Sequence, residues 1–116
     1  MFDNNDNSIL NSIKSLLGID KDDTSFDTDI IIHINSVFAI LTQLGVGPEK
    51  GFAIVDKDDT WDDFVDESYV HLMSMKSYMF MKVKLLFDPP SGPAIASFEK
   101  LISEFEWRLN VAAETK

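Results

Sequence analysis

The chain has no cysteine among its 116 residues, so it can hold neither a disulfide framework nor a thiolate metal site. Cations are also scarce. Ten lysines and arginines stand against twenty aspartates and glutamates, a formal net charge of −10. Proteins that grip a phosphate backbone use clustered cations to release counterions, so the charge balance argues against binding of that kind. It does not argue against an acidic surface past which DNA slides. Glycine is limited to five residues, and none builds a phosphate cradle. Gly45-Val46-Gly47-Pro48 puts a proline where a helix amide would be needed. His33 and His71 are the only histidines and fall on different predicted helices, with no spacing that brings a carboxylate to them. A nucleophile would have to be a serine, and none lies in a strand–turn–helix elbow. MFDNNDNSIL lacks the basic and apolar regions of a signal peptide, and no charge-free apolar run approaches membrane-spanning length. These absences predict a soluble protein made in a reducing cytoplasm, with no catalytic residues, cofactor, metal or membrane contact.

What is present is helical. Apolar residues make up 45% of the chain and charged residues 26%, the range of a globular domain with one modest core. Residues 68–90, SYVHLMSMKSYMFMKVKLLFDPP, form the longest run of helix formers and large apolar side chains, stopped by Pro89-Pro90. At about 100° per residue, Tyr69, Leu72, Met73, Met79, Phe80, Val83, Leu86 and Phe87 share one wide face. Val70, Tyr78, Met81 and Leu85 cover much of the other side. A helix apolar nearly all round must be covered nearly all round. Part of that cover is expected from a neighbouring subunit.

Three further helices are predicted. The first is capped by Asn7 or Ser8, runs to about Leu17 and ends on Gly18-Ile19; the next spans about Asp29 to Leu44 and ends on Gly45-Val46. Asp20 to Asp29 is an acidic connector whose Asp27 or Thr28 can cap that second helix. The last runs from about Ala94 to Ala112, with Ile95, Phe98, Leu101, Ile102, Phe105, Leu109 and Ala112 inward and Trp107 and Val111 stranded on the polar side. Between the second and third helices, Gly47 to Asp63 reads as a small β-hairpin or extended insert that projects from the bundle. The whole is an all-α, four-helix bundle-like single domain over residues 1–116, with flexible ends at 1–7 and 112–116.

Two acidic runs invite a calcium reading. Asp56, Asp58 and Glu67 occupy positions 1, 3 and 12 of a calcium-loop pattern, but Trp61 replaces the required glycine. Asp20–Asp29 has Ser25 at the glycine position and Ile31 where a bidentate acid belongs. A solvated acidic loop and a helix cap are the better readings. Met73 and Met79 read as core filling, while Met81 divides evenly between core and subunit contact. The expected subunit or partner contacts are Val70, Tyr78, Met81, Leu85, Trp107 and Val111.

The order of these parts, LLGID, FDTDIIIHINSVFAIL, LGVGP, a Trp-containing insert, MKSYMFMKVKLLFDPP and FEKLISEFEWRLN, resembles the small head–tail connector (adaptor) proteins of tailed bacteriophages over about residues 8–110. KSYMFMKVKLLFDPP and SEFEWRLN are its most specific pieces. The resemblance implies a helical bundle that forms a homo-oligomeric ring under the portal, within the virion, with no catalytic residue to transfer. It implies portal binding through the C-terminal part, a stopper or tail-completion protein on the other face, and DNA passing through the channel without sequence-specific binding. The insert, with Asp56, Asp58, Asp59 and Trp61, is then expected to face the lumen or the tail. The alternative is a small acidic interaction module, such as a DNA-mimic regulator.

Overall fold

A computed structural model of the chain describes residues 7–66 and 68–114. Glu67, the twelfth position of the calcium pattern, and residues 1–6 and 115–116 lie outside them. Ser8 caps the first helix, α1 (Ile9–Leu16), its hydroxyl accepting from the Asn11 amide at 3.2 Å. Gly18 turns left-handed behind α1, and the Ile19 amide bonds back to the Lys14 carbonyl at 2.8 Å.

The second helix, α2 (Asp27–Gln43), starts earlier than its sequence suggests. Phe26 precedes it, without a side-chain cap. Asp27 does not cap; it turns to Lys14, whose ammonium lies 2.8 Å from its carboxylate. Lys14 is 1% exposed and also donates to the Lys21 and Asp23 carbonyls at 3.0 and 2.7 Å. One buried lysine thereby ties the acidic connector to α1. Ile30, Ile34, Val37, Phe38 and Leu41 form the buried stripe of α2.

The expected hairpin does not form. Among the described residues there is no strand, only an isolated antiparallel bridge between Ser8 and Thr60. The insert does not project either; it folds back as a wall of the core. The Asn35 side chain accepts from the Ile54 amide at 2.7 Å and donates to the Ile54 carbonyl at 3.0 Å, serving as the strand partner the insert lacks. Phe52, Trp61 and Phe64 surround Phe38, with ring centroids 5.0, 6.5 and 4.6 Å away. A one-turn helix, α3 (Trp61–Phe64), carries two of them, its start closed by the Asp63 carboxylate accepting from Thr60.

The fourth helix, α4 (Leu72–Phe87), begins four residues later than expected. The Asp66 carboxylate accepts from the Ser68 amide at 2.8 Å, and that turn occupies the chain in place of a helical one. α4 packs on α1, α2 and the last helix, α5 (Pro93–Glu114). Its buried residues are Met75, Tyr78, Met79, Met81 and Val83. Pro93 opens α5, where its missing N–H costs nothing. Of α5's 22 residues, only Ile102 and Leu109 are fully buried. Where the expected flexible ends are described, Asn7 donates to Asp62 at 2.8 Å and α5 continues through Glu114.

Candidate functional site

The surfaces available to a partner follow from what the core consumes. Tyr78 and Met81 belong to the core of a single copy, not to a subunit face. Tyr78 donates its hydroxyl to the Glu106 carboxylate at 2.7 Å, which clasps α4 to α5. Burial, and then that carboxylate, push the phenol well above the ordinary tyrosine range. Leu85 is half-buried against the core. The sequence reading placed the free side of α4 on these residues because it assumed too few helices to cover them; α1, α2 and α5 all pack on α4.

Trp61 is corrected as well. It is 1% exposed, its indole N–H donates to the Ser12 hydroxyl at 3.2 Å, and Lys76 lies 5.3 Å over its ring. A tryptophan held this way faces neither lumen nor tail. The aspartates around it do reach solvent. Asp59 accepts from the Val55 and Asp56 amides at 2.6 and 3.2 Å, and Asp56 from the Asp58 amide at 2.8 Å. Their oxygens thus hold the loop's own backbone. Among the described residues, no group of three or more His, Cys, Asp or Glu is placed to hold a metal. His33 packs beside Phe87 and His71 beside Tyr69. No helix among them is long and apolar enough to cross a membrane.

Apolar side chains remain uncovered in several places, among them Leu16, Ile32 and Val55, which are 55%, 56% and 80% exposed. Val70 and Met73, at the start of α4, are 84% and 72% exposed. Met73 was read as core, but α4 turns its side away from the other helices. Leu86 at the end of α4 is exposed next to Phe87, which packs edge-on against Phe26 at 5.5 Å. On α5, Trp107 is 67% exposed, while Val111 is half-buried. Ile95 and Leu101, read as inward, are also partly bare.

Between the end of α2, the segment leading into α4 and the end of α5 opens a cleft of about 630 Å³ to which the sequence gives little clue. Val46, Phe64, Val65 and Tyr69 form its apolar walls, Ala112 and Ala113 its α5 side, and Asp66 and His71 its polar margin. Small residues were the available signal. A side chain at Gly47 would run into the Phe64 ring, and one at Gly45 would meet Ala113 at 3.0 Å. A second depression of about 440 Å³ brings Asp22 and Asp27 of the connector together with Asp56 of the insert, with Lys21 and Lys57 also lining it. Hydrogen bonds from Ser25 hold Asp23 below the usual carboxylate range, and those from Ser68 do the same for Asp66.

This chain thus offers uncovered apolar surface, an acidic flank and no assembled catalytic or metal group among its described residues. No curated protein and no solved structure matches it. A family model described as phage connector protein matches residues 9–116, from the first turn of α1 through α5. The chain belongs to the phage connector protein family.

Proposed function

We propose that this structural phage protein forms a ring that docks on the portal, completes the head after DNA packaging and joins it to the tail. The observation that carries the reading is apolar surface left bare on a fully folded copy of a connector-family chain: Val70, Met73, Leu86 and Trp107. Val70 and Met73 lie three residues apart at the α4 entry, and exposed apolar surface of that kind marks a contact site, as does an exposed tryptophan. In the ring, Val70, Trp107 and Val111 meet neighbouring copies or the portal. A stopper or tail-completion protein takes the other face. Asp56, Asp58 and Asp59 face the channel or the tail, where an acidic wall repels DNA and lets it pass. Native mass spectrometry of the chain with the portal protein of its own phage tests this. The expected result is a closed ring of this chain on the portal ring; a strict monomer that never joins the portal overturns it.

One observation favours a second reading. Residues 20–29 hold five aspartates against one lysine and residues 56–66 six against one, and both segments line one depression. A concentrated acidic flank also suits a DNA mimic. Stoichiometric inhibition of a nucleic-acid-binding enzyme recovered from host lysate would favour that reading over the connector.

A further inference from the structure

We propose that neighbouring copies join by seating Trp107 of one copy in the cleft of the next, between Val46, Tyr69 and Ala112, with Lys100 set against Asp66. This rests on the ring-connector reading and names the contact that builds the ring.

Trp107 is an exposed aromatic with a defined face around it. At about 100° per residue, Lys100 and Ser103 lie within about 40° of it on α5. Lys100 makes no ion pair among the described residues, whereas Arg108 is neutralised by Glu104. The face therefore presents one large apolar knob, with Lys100 one heptad before it and Glu114 one heptad after it. The cleft has the matching character: apolar walls, room for an indole, and the Asp66 carboxylate at its margin.

Placement decides how copies join. Ala112 and Ala113 bound the cleft, and the direction between them points about 190° around α5 from Trp107. Knob and cleft thus lie on opposite sides of one helix. A copy cannot fill its own cleft, and a two-fold pair cannot bring both knobs to both clefts in one patch. The contact is heterologous, each copy giving one knob and receiving one, and repeated heterologous contacts close into rings. Charge selects the same arrangement. Opposing the acidic flanks of two copies is repulsive, whereas the α5 face meets the aspartate at the cleft margin favourably.

The absence of cysteine makes the test clean. Ser103→Cys and Ser68→Cys place single thiols beside the knob and at the cleft, leaving Trp107 intact. With a short bis-maleimide, the double variant should give a ladder of oligomers, a mixture of the two single variants only dimers, and each single variant alone none. By native mass spectrometry, Trp107→Ala should raise the self-dissociation constant about 30-fold or more, the size of a central aromatic hot spot. Lys100→Glu should raise it about 3- to 10-fold, less at high salt, and adding Asp66→Lys should restore it. Far-UV circular dichroism confirms that each variant is folded. Assemblies that persist without a ladder and ignore Trp107→Ala overturn the contact and leave the connector reading standing, as does a Ser68 thiol that cross-links only to portal. A chain that stays monomeric with and without portal overturns both.

Discussion

Trp61→Ala should cost the isolated domain about 3–5 kcal/mol, the range for deleting a large core aromatic. Trp107→Ala should cost the monomer less than about 0.5 kcal/mol, as for a surface site. A fully buried tryptophan hides about 150–250 Å², and at about 25 cal/mol per Å² that is about 4–6 kcal/mol. The figure is an upper bound, because the unfolded chain already shields part of the ring. The indole N–H bond to Ser12 adds about 1 kcal/mol, and the Lys76 ammonium over the ring about 0.5–1 kcal/mol. Partial collapse of the insert around the cavity offsets some of this. Equilibrium urea unfolding by circular dichroism measures the loss, equivalent to a drop in Tm of about 12–20 °C at about 4 °C per kcal/mol. If the alanine variant is too unstable to titrate, Trp61→Phe keeps an aromatic ring, loses the N–H and should cost about 1–2 kcal/mol. A Trp61→Ala loss under 1 kcal/mol, or a Trp107→Ala loss matching it, would refute the assignment of one tryptophan to the core and the other to a contact.

Lys14→Met should cost about 2–4 kcal/mol, because Asp27 and two carbonyls lose a buried ammonium. The low end applies if water reaches Asp27, whose side chain is 25% exposed; a loss below 0.5 kcal/mol in urea titration would mean the ammonium is hydrated in the fold. Tyr78→Phe should cost about 1.5–3 kcal/mol at neutral pH, the worth of a hydrogen bond to a charged group. Since the folded phenol holds its proton far above the ordinary range, its contribution is complete below about pH 10, where the unfolded tyrosine is also protonated. It then falls by up to about 1.4 kcal/mol per pH unit as pH rises further. The stability gap between wild type and Tyr78→Phe should narrow there; a constant gap from pH 8 to 11 would contradict the buried clasp. Gly47→Ala should cost clearly more than Gly18→Ala, since both sites have positive φ but only the first would clash, with Phe64. The Gly18 change should cost about 1–2 kcal/mol, and equal losses by thermal unfolding would show that Phe64 yields freely.

The helices were legible because their punctuation is local. Ser8, Gly18-Ile19, Gly45-Val46 and Asp88-Pro89-Pro90 act within a few residues of where they sit, and the buried Ile30, Ile34, Val37 and Leu41 recur at helical spacing. The insert was illegible for the converse reason. Phe52, Ile54, Trp61 and Phe64 show no period, and their partners Phe38, Asn35 and Ser12 lie far away in sequence. The start of α4 was misread because an aspartate two residues before a serine competes with helix formation through a bond that hydropathy does not report. Tyr78 and Met81 look like surface for another reason: in so short a chain, few elements seem available to cover α4. The cleft was missed because its walls come from the α2 end, the α3–α4 connection and α5.

The reading of the insert bears on where partners bind. A chain of 116 residues has a limited supply of apolar cover. Counting the insert as projecting removes Phe52, Ile54 and Trp61 from that supply, so α4 seems to need a neighbouring subunit. Returned to the core, they close it around Phe38, and α1, α2 and α5 enclose α4. The deficit then moves to α5, a 22-residue helix with two fully buried residues that packs mainly on α4. A helix so thinly anchored draws little stability from its own propensity, because helix formation in water is marginal without packing. Burying Trp107 and its neighbours against another copy would therefore do two things at once, joining subunits and fixing α5. Amide hydrogen exchange separates these roles. Protection along residues 93–108 should be weak in the monomer and rise on assembly, while α2 and the Trp61 region stay protected throughout; an α5 already as protected as α2 in the monomer would show that assembly adds nothing to its order.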